Sequence, residues 1–315
     1  MRRRRGPDFF QNYFRSLQPA LNGDVDIVIH GGDVFFRSRV FPKIVHEAFQ
    51  PLIAIADKGI PVYLVPGNHE RSNIPVTLLE THRNIHIFDQ PKTFVLETKG
   101  RNISLSGFPF YRSAIRKNFE TILNRTDFQK KEADVRLLCM RQSVEGAQVG
   151  VQNYTFRNGD DVIRGSQIPG DYAAILSGHI HRFQMLKKDL AGRELKARVF
   201  YPGAIEQTSF AERSETKGNL IFEIWGSENN LKWKFVELLT RPMMVISIKN
   251  NFQNFAQLRR SLRDKIENLP PNSIVQIRIL PNLPPSLQQQ FTAHFLRTIA
   301  PETMNTSLSF HGKFK

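Results

Sequence analysis

Three short segments of the sequence carry side chains able to hold a cation: Gly31-Gly32-Asp33, Gly67-Asn68-His69-Glu70 and Gly178-His179-Ile180-His181. Asp33 offers a hard carboxylate that can bridge two cations, Asn68 a neutral amide oxygen, and His179 and His181 two imidazoles from one turn. Such a mixed oxygen and nitrogen set suits a pair of Mn2+-, Fe- or Zn-like ions about 3.5 to 4 Å apart, an arrangement used for in-line attack on phosphate esters. Each segment alone is a weak signal, since a lone His-x-His is as readily a surface pair. All three in this order, each directly after a short apolar run, form a strong one. The glycines let the backbone turn beside a metal or phosphate with no Cβ in the way.

The elements that must position these residues are legible as runs and breaks. Apolar β-branched stretches at residues 26–30, 62–65, 103–106, 136–140, 173–176, 198–201, 220–225 and 231–238 read as strands, most of them closed by Gly- or Pro-marked turns. Residues 7–21 and 42–58 read as amphipathic helices, the first with Phe9, Phe10, Phe14 and Leu17 on one side. The last two strands flank a polar Gly-Ser-Glu-Asn segment at 226–229 and predict a hairpin about residues 227–230. This is the pattern of an α/β layered domain, whose strand ends open into one crevice where distant ligands converge.

The pattern changes after Arg241 and Pro242. Strand (244–248), helix (252–268), strand (274–280), helix (286–299) and a last strand (304–310) predict a small α+β domain. The expected division is therefore 1–240 and 241–315. The second part holds ten Lys and Arg against three Asp and Glu, a net +7, so under a quarter of the chain carries nearly half of the overall +15. Arg259, Arg260, Arg263 and Lys265 fall along its first helix, as either a solvated face or a surface for the phosphate backbone of DNA.

A pI near 10.1 points to a polyanionic partner, with nucleic acid favoured over an anionic membrane surface. No apolar stretch approaches the roughly 18 to 20 residues needed to cross a bilayer, and no secretory apolar region follows the opening arginines, so a cytoplasmic protein is expected. The single cysteine, Cys139, excludes an internal disulfide framework and reads as a buried thiol.

The three metal-ligand segments resemble the signature of the calcineurin-like metallophosphoesterases: Gly-Asp, then Gly-Asn-His-Asp/Glu, then Gly-His-x-His. The closer resemblance is to the SbcD-type exonuclease branch that acts in DNA double-strand-break repair. It is carried by Asp8-Phe9-Phe10, by residues 65–69 and 144–147, and by the Tyr-Pro-Gly-Ala-Ile-Glu run at 201–206 with Thr208-Ser209-Phe210. The resemblance implies a layered sandwich of two mixed β-sheets flanked by helices, capped by the small basic domain where that branch faces DNA. It also implies that Asp33 bridges two divalent metals, most readily Mn2+ with Fe, Zn or Mg as alternatives, while Asn68 and His179 bind one ion and His181 the other. His69 would sit over the scissile phosphate, stabilising it or protonating the leaving oxygen, and the nucleophile would be a metal-bound water or hydroxide. DNA, an SbcC-type coiled-coil ATPase and a second copy of the chain are the implied partners.

Two departures from that pattern stand out. The family opens on a strand ending in Asp-x-His, and no such pair precedes Asp33; the recorded start at Met1 is read as late or the chain as truncated. The Arg2 to Arg5 run is equally open to reading as a nuclear signal or a nucleic-acid arm. The second departure is Arg141, which stands where the family has a histidine ligand. A guanidinium stays protonated and has no lone pair for a metal, although it can hold a substrate phosphate. A single base change and an authentically degenerate site both account for it. The leading expectation is thus a DNA exonuclease, with a non-cutting DNA- or partner-binding relative and a small-nucleotide phosphodiesterase as alternatives.

Overall fold

The computed structural model describes residues 5–35, 39–68, 82–225, 231–248, 252–280 and 283–310. They form two compact units. The larger comprises residues 10–206 and 215–238; the smaller comprises residues 1–9, 207–214 and 239–315.

In the larger unit, Val28–His30, Val62–Leu64 and Ile85–Ile87 make a three-stranded parallel sheet, with Ile29 opposite Tyr63 and Tyr63 opposite His86. A six-stranded mixed sheet runs Gln184–Lys188, Glu194–Tyr201, Ala174–Ser177, Val135–Met140, Arg101–Gly107, Lys92–Thr98. Its four inner strands are parallel and its two edge strands antiparallel to their neighbours. The inner strands read as nearly continuous apolar runs because both faces are covered: Leu137, Leu138, Cys139 and Met140 are all buried. Cys139 is a free buried thiol, in line with the sequence reading.

The helix Pro42–Asp57 shows how the layers hold together. Proline at its first turn presets the backbone and lacks an N–H that would be unpaired there. Ala48, Phe49, Leu52, Ile55 and Ala56 then form a buried stripe packed with Val62, Leu64, Ile85 and Ile87 of the parallel sheet. Fully burying Leu52 and Ile55 stabilises by roughly 1.5–3 kcal/mol each. The helix stops where the Lys58 and Gly59 amides bond back to Ile55 and Ala56 and Gly59 takes a positive φ of 84°. Helix Gly6–Asn22 buries Tyr13, Leu17 and Ala20 on one stripe.

Strands Lys217–Ile224 and Leu231–Leu238 pair antiparallel over their full length, as a hairpin requires; the connecting residues 227–230 lie outside the described residues.

In the smaller unit, Met243–Ile248, Ile274–Ile279 and Asn305–Phe310 form a parallel sheet. Its helix Phe255–Glu267 buries Leu258, Leu262 and Ile266, with Asn254 capping it by accepting from the Gln257 amide at 2.9 Å. The single helix expected at 286–299 is two, Pro285–Gln288 and Ala293–Ile299. The break comes at Thr292, whose side chain accepts from the Phe295 amide at 3.0 Å and restarts the helix. The division also differs from 1–240 and 241–315, because residues 1–9 and 207–214 cluster with the C-terminal part. Arg241 supplies a reason for the first of these. Its buried guanidinium meets Asp8 at 3.0 Å, the Asn305 side chain at 2.6 Å and the Thr303 carbonyl at 2.7 Å.

Candidate active site

Parallel pairing decides which residues meet. Strands Val135–Met140 and Ala174–Ser177 run in register to the pair Met140 and Ser177, so Arg141 and Gly178 emerge side by side. From the other sheet, the strands ending at His30 and Leu64 deliver Asp33 and Asn68 to the same crevice. The two sets of strand ends touch at Gly31 and Gly178. A Cβ built on Gly178 would lie 2.1 Å from the Gly31 carbonyl oxygen, and one on Gly31 would lie 2.8 Å from the Gly178 Cα. Only glycine permits that approach. Asp33 itself sits at φ 53°, a left-handed conformation that L-residues other than Asn and Asp seldom adopt.

Arg141 lies at the centre of this convergence, 2% exposed. Its Nε donates to the Asn68 Oδ1 at 3.0 Å, one terminal nitrogen donates to the carbonyls of Gly31 at 2.9 Å and Gly178 at 2.8 Å, and the other pairs with Asp33 Oδ2. The residues expected to bind metal through Asp33 and Asn68 are thus brought together, but around a guanidinium. Arg141, expected to hold a substrate phosphate, directs four of its five N–H groups to protein oxygens.

His179 packs its ring against Phe110, with centroids 5.5 Å apart at 24°. Burial first, then the nearby Arg141 charge, pushes its pKa down to about 4, so the imidazole is neutral at ordinary pH. Its Nδ1 is buried with no hydrogen-bond partner among the described residues, a lone pair or N–H left open for something else. His181 belongs to the same turn. Its carbonyl accepts from the Lys217 ammonium at 2.8 Å and from the Ala204 amide at 3.0 Å. Lys217 is fully buried, and Glu215 pairs with it at 3.0 Å and with Arg182 at 3.1 Å. That chain of charges fixes the backbone on which His181 is carried. His69 lies outside the described residues.

Sequence reasoning missed His30, which is half-buried at the same strand end. Its Nδ1 accepts the Gly32 amide at 3.1 Å, and burial, reinforced by Arg141 and opposed by Asp33, pushes its pKa down to about 4. Its place directly before Gly31-Gly32-Asp33 was the available signal. Lys217 and Glu215 carried none, since only the fold brings them beneath the 178–181 turn.

A metal ion does not fit between Asp33 and Asn68 as these side chains stand. Asn68 Oδ1 and Asp33 Oδ2 are already bonded to a +1 group, and a cation there would face that charge at contact distance in a buried setting. Among the described residues no group of three or more His, Cys, Asp or Glu is disposed to hold a metal.

In the smaller unit, Arg259, Arg260, Arg263 and Lys265 are all exposed on the helix Phe255–Glu267, with Leu258, Leu262 and Ile266 facing inward. Arg259 also lines an open groove with Phe255, Gln289, His294 and Phe295. None of the described helices is long and apolar enough to cross a membrane.

Comparison with known proteins adds an independent line. The family model described as calcineurin-like phosphoesterase matches residues 5–183. The phosphoesterase-like protein 244L of Invertebrate iridescent virus 6 is 25% identical over 68% of this chain and 70% of its own length. The uncharacterized metallophosphoesterase YhaO of Bacillus subtilis is 25% identical over 68% of this chain and 51% of its own. The DNA double-strand break repair protein Mre11 of Methanococcus maripaludis is 23% identical over 67% of this chain and 55% of its own. The chain therefore spans about half the length of the last two.

Proposed function

The chain belongs to the calcineurin-like phosphoesterase family, and from that premise we propose that it acts on the phosphodiester backbone of DNA, as an exonuclease of the double-strand-break-repair type. Members of this family use divalent metals, and membership supports hydrolase activity. The observation that carries the reading is the convergence of Asp33, Asn68 and the 178–179 turn at the carboxyl ends of parallel strands, where α/β proteins place their ligands. DNA as the substrate class is supported by the similarity to an archaeal Mre11 and by the net charge of +15. Mn2+ is the metal this reading favours, and it would reach Asp33 and Asn68 only with Arg141 displaced from them; a coiled-coil ATPase of the SbcC type, a second copy of the chain and a cytoplasmic setting belong to the same reading.

Arg141 favours a second reading, in which the protein binds DNA or a protein partner without cutting. One assay separates the two. End-labelled linear duplex is incubated with the protein in Mn2+ and in EDTA, beside Asp33→Asn. Shortening of the duplex that needs Mn2+ and disappears in the variant supports the exonuclease. Retention of intact duplex in a gel shift supports the binder. Hydrolysis of a chromogenic diester with no action on DNA or binding to it would overturn both in favour of a small-nucleotide phosphodiesterase.

A further inference from the structure

We infer that Arg141 is a built-in cation: its guanidinium occupies the point at which Asp33 and Asn68 would share a metal ion, and it assembles the crevice in a metal-independent way. It rests on the same crevice as the proposed function and bears on its metal: where it holds, the Asp33–Asn68 pair gives the wild type no metal site, and the non-cutting reading is favoured over the exonuclease.

Four acceptors from three places in the chain converge on one side chain: the Asn68 amide oxygen, the Asp33 carboxylate and the carbonyls of Gly31 and Gly178. These are hard, oxygen-based donors, the kind that surround a divalent cation. A guanidinium is the side chain suited to replace such an ion, because it is always charged and its fixed fork presents several N–H groups in one plane. The surroundings have closed around it. A Cβ on Gly32 would come within 2.9 Å of the Arg141 Cδ, and the two glycines at the sheet ends are in backbone contact. Arg141 therefore joins three separate strand ends that would otherwise present oxygen to oxygen in a buried place. His179 stands beside this cluster with a buried nitrogen that no described residue engages. Asp33 and Asn68 supply two oxygen donors to this point, and both are bonded to Arg141.

It follows that replacing Arg141 by a metal-binding side chain converts the point from a salt bridge into a metal site. The test measures bound Mn2+ per chain, after chelator stripping and equilibrium dialysis, on the wild type and Arg141→His, together with the melting temperature in Mn2+ and in EDTA. Arg141→His is expected to take up one equivalent more than the wild type and to melt higher in Mn2+ than in EDTA by several degrees. The wild type is expected to gain no stability from Mn2+ through this point. Equal stoichiometry in the two folded proteins would overturn the inference. Should Arg141→His fail to fold, Asn68→Ala in the wild-type background decides. With Arg141 as the partner of Asn68, that variant keeps its Mn2+ uptake unchanged. A loss of one equivalent in Asn68→Ala would show that Asn68 already serves a metal, and the inference would fall. Uptake is read without any nuclease assay, so this outcome is distinguishable from a failure of the DNA reading.

Discussion

Arg141 and Asp33 form a buried ion pair between residues 108 apart in sequence, with the arginine side chain 3% exposed and the aspartate side chain 14%. Removing one partner of such a pair leaves an uncompensated charge, which costs about 3–5 kcal/mol. Arg141→Met is therefore expected to destabilise the larger unit by that amount in urea denaturation. Arg141→Lys should recover only part, because an ammonium keeps the charge but cannot reach four acceptors in one plane. A loss under about 1 kcal/mol for Arg141→Met would mean that the pair is not what holds the strand ends together.

His30 gives the fold an acid limit. Its pKa is lowered from 6.5 to about 4 by burial and by the neighbouring Arg141, so the folded state disfavours the charged imidazole. Below pH 6.5 the unfolded chain binds the proton more readily, and stability falls as pH drops from 6.5 through 4. His179 acts in the same direction. Urea midpoints measured between pH 7.5 and 4.5 should decline most steeply in the lower half of that range. His30→Gln should show a shallower decline. An unchanged slope in that variant would place the acid sensitivity elsewhere.

Much of this architecture was legible because local signals and packing agree. The runs at 62–65 and 136–140 are apolar on both faces, as buried parallel strands must be, and the structure places strands at Val62–Leu64 and Val135–Met140. Edge strands escaped notice for the same physical reason. Lys92–Thr98 and Gln184–Lys188 have half-exposed, mixed residues, and only pairing with a neighbour makes them strands. In the site, residue types identified Asp33, Asn68 and His179 as candidate ligands. Where Arg141 points was not readable, because a guanidinium is equally suited to an incoming phosphate and to an inward cluster of oxygens. Three-dimensional convergence at Gly31 and Gly178 is what brings the oxygens of that cluster to Arg141.

Cys139 tests the packing of the central sheet. Burial pushes its thiol up to about 12, and the residue lies on an inner strand between two parallel neighbours. The thiolate is the reactive form, so the native protein should not react with an aromatic disulfide reagent at pH 8 and should release one equivalent of chromophore in denaturant. Rapid labelling without denaturant would mean that the strand Val135–Met140 opens locally, and the placement of Arg141 at its end would then lose its support.

The basic helix of the smaller unit separates surface charge from substrate contact. Leu258, Leu262 and Ile266 anchor Phe255–Glu267, leaving Arg259, Arg260, Arg263 and Lys265 exposed with no structural duty in the core. Replacing all four by Ala or Gln is therefore expected to leave the fold intact, as circular dichroism and thermal melting would check. If the face contacts DNA, each lost phosphate contact lowers the slope of log affinity against log salt by about 0.9 for a duplex. The quadruple variant should then bind duplex more weakly at low salt and show a slope smaller by up to roughly 3 to 4 units. A specific interaction with one base sequence would not behave this way, because phosphate contacts weaken all sequences alike. Binding with unchanged affinity and unchanged slope would assign these four charges to a solvated face and leave DNA recognition to the larger unit.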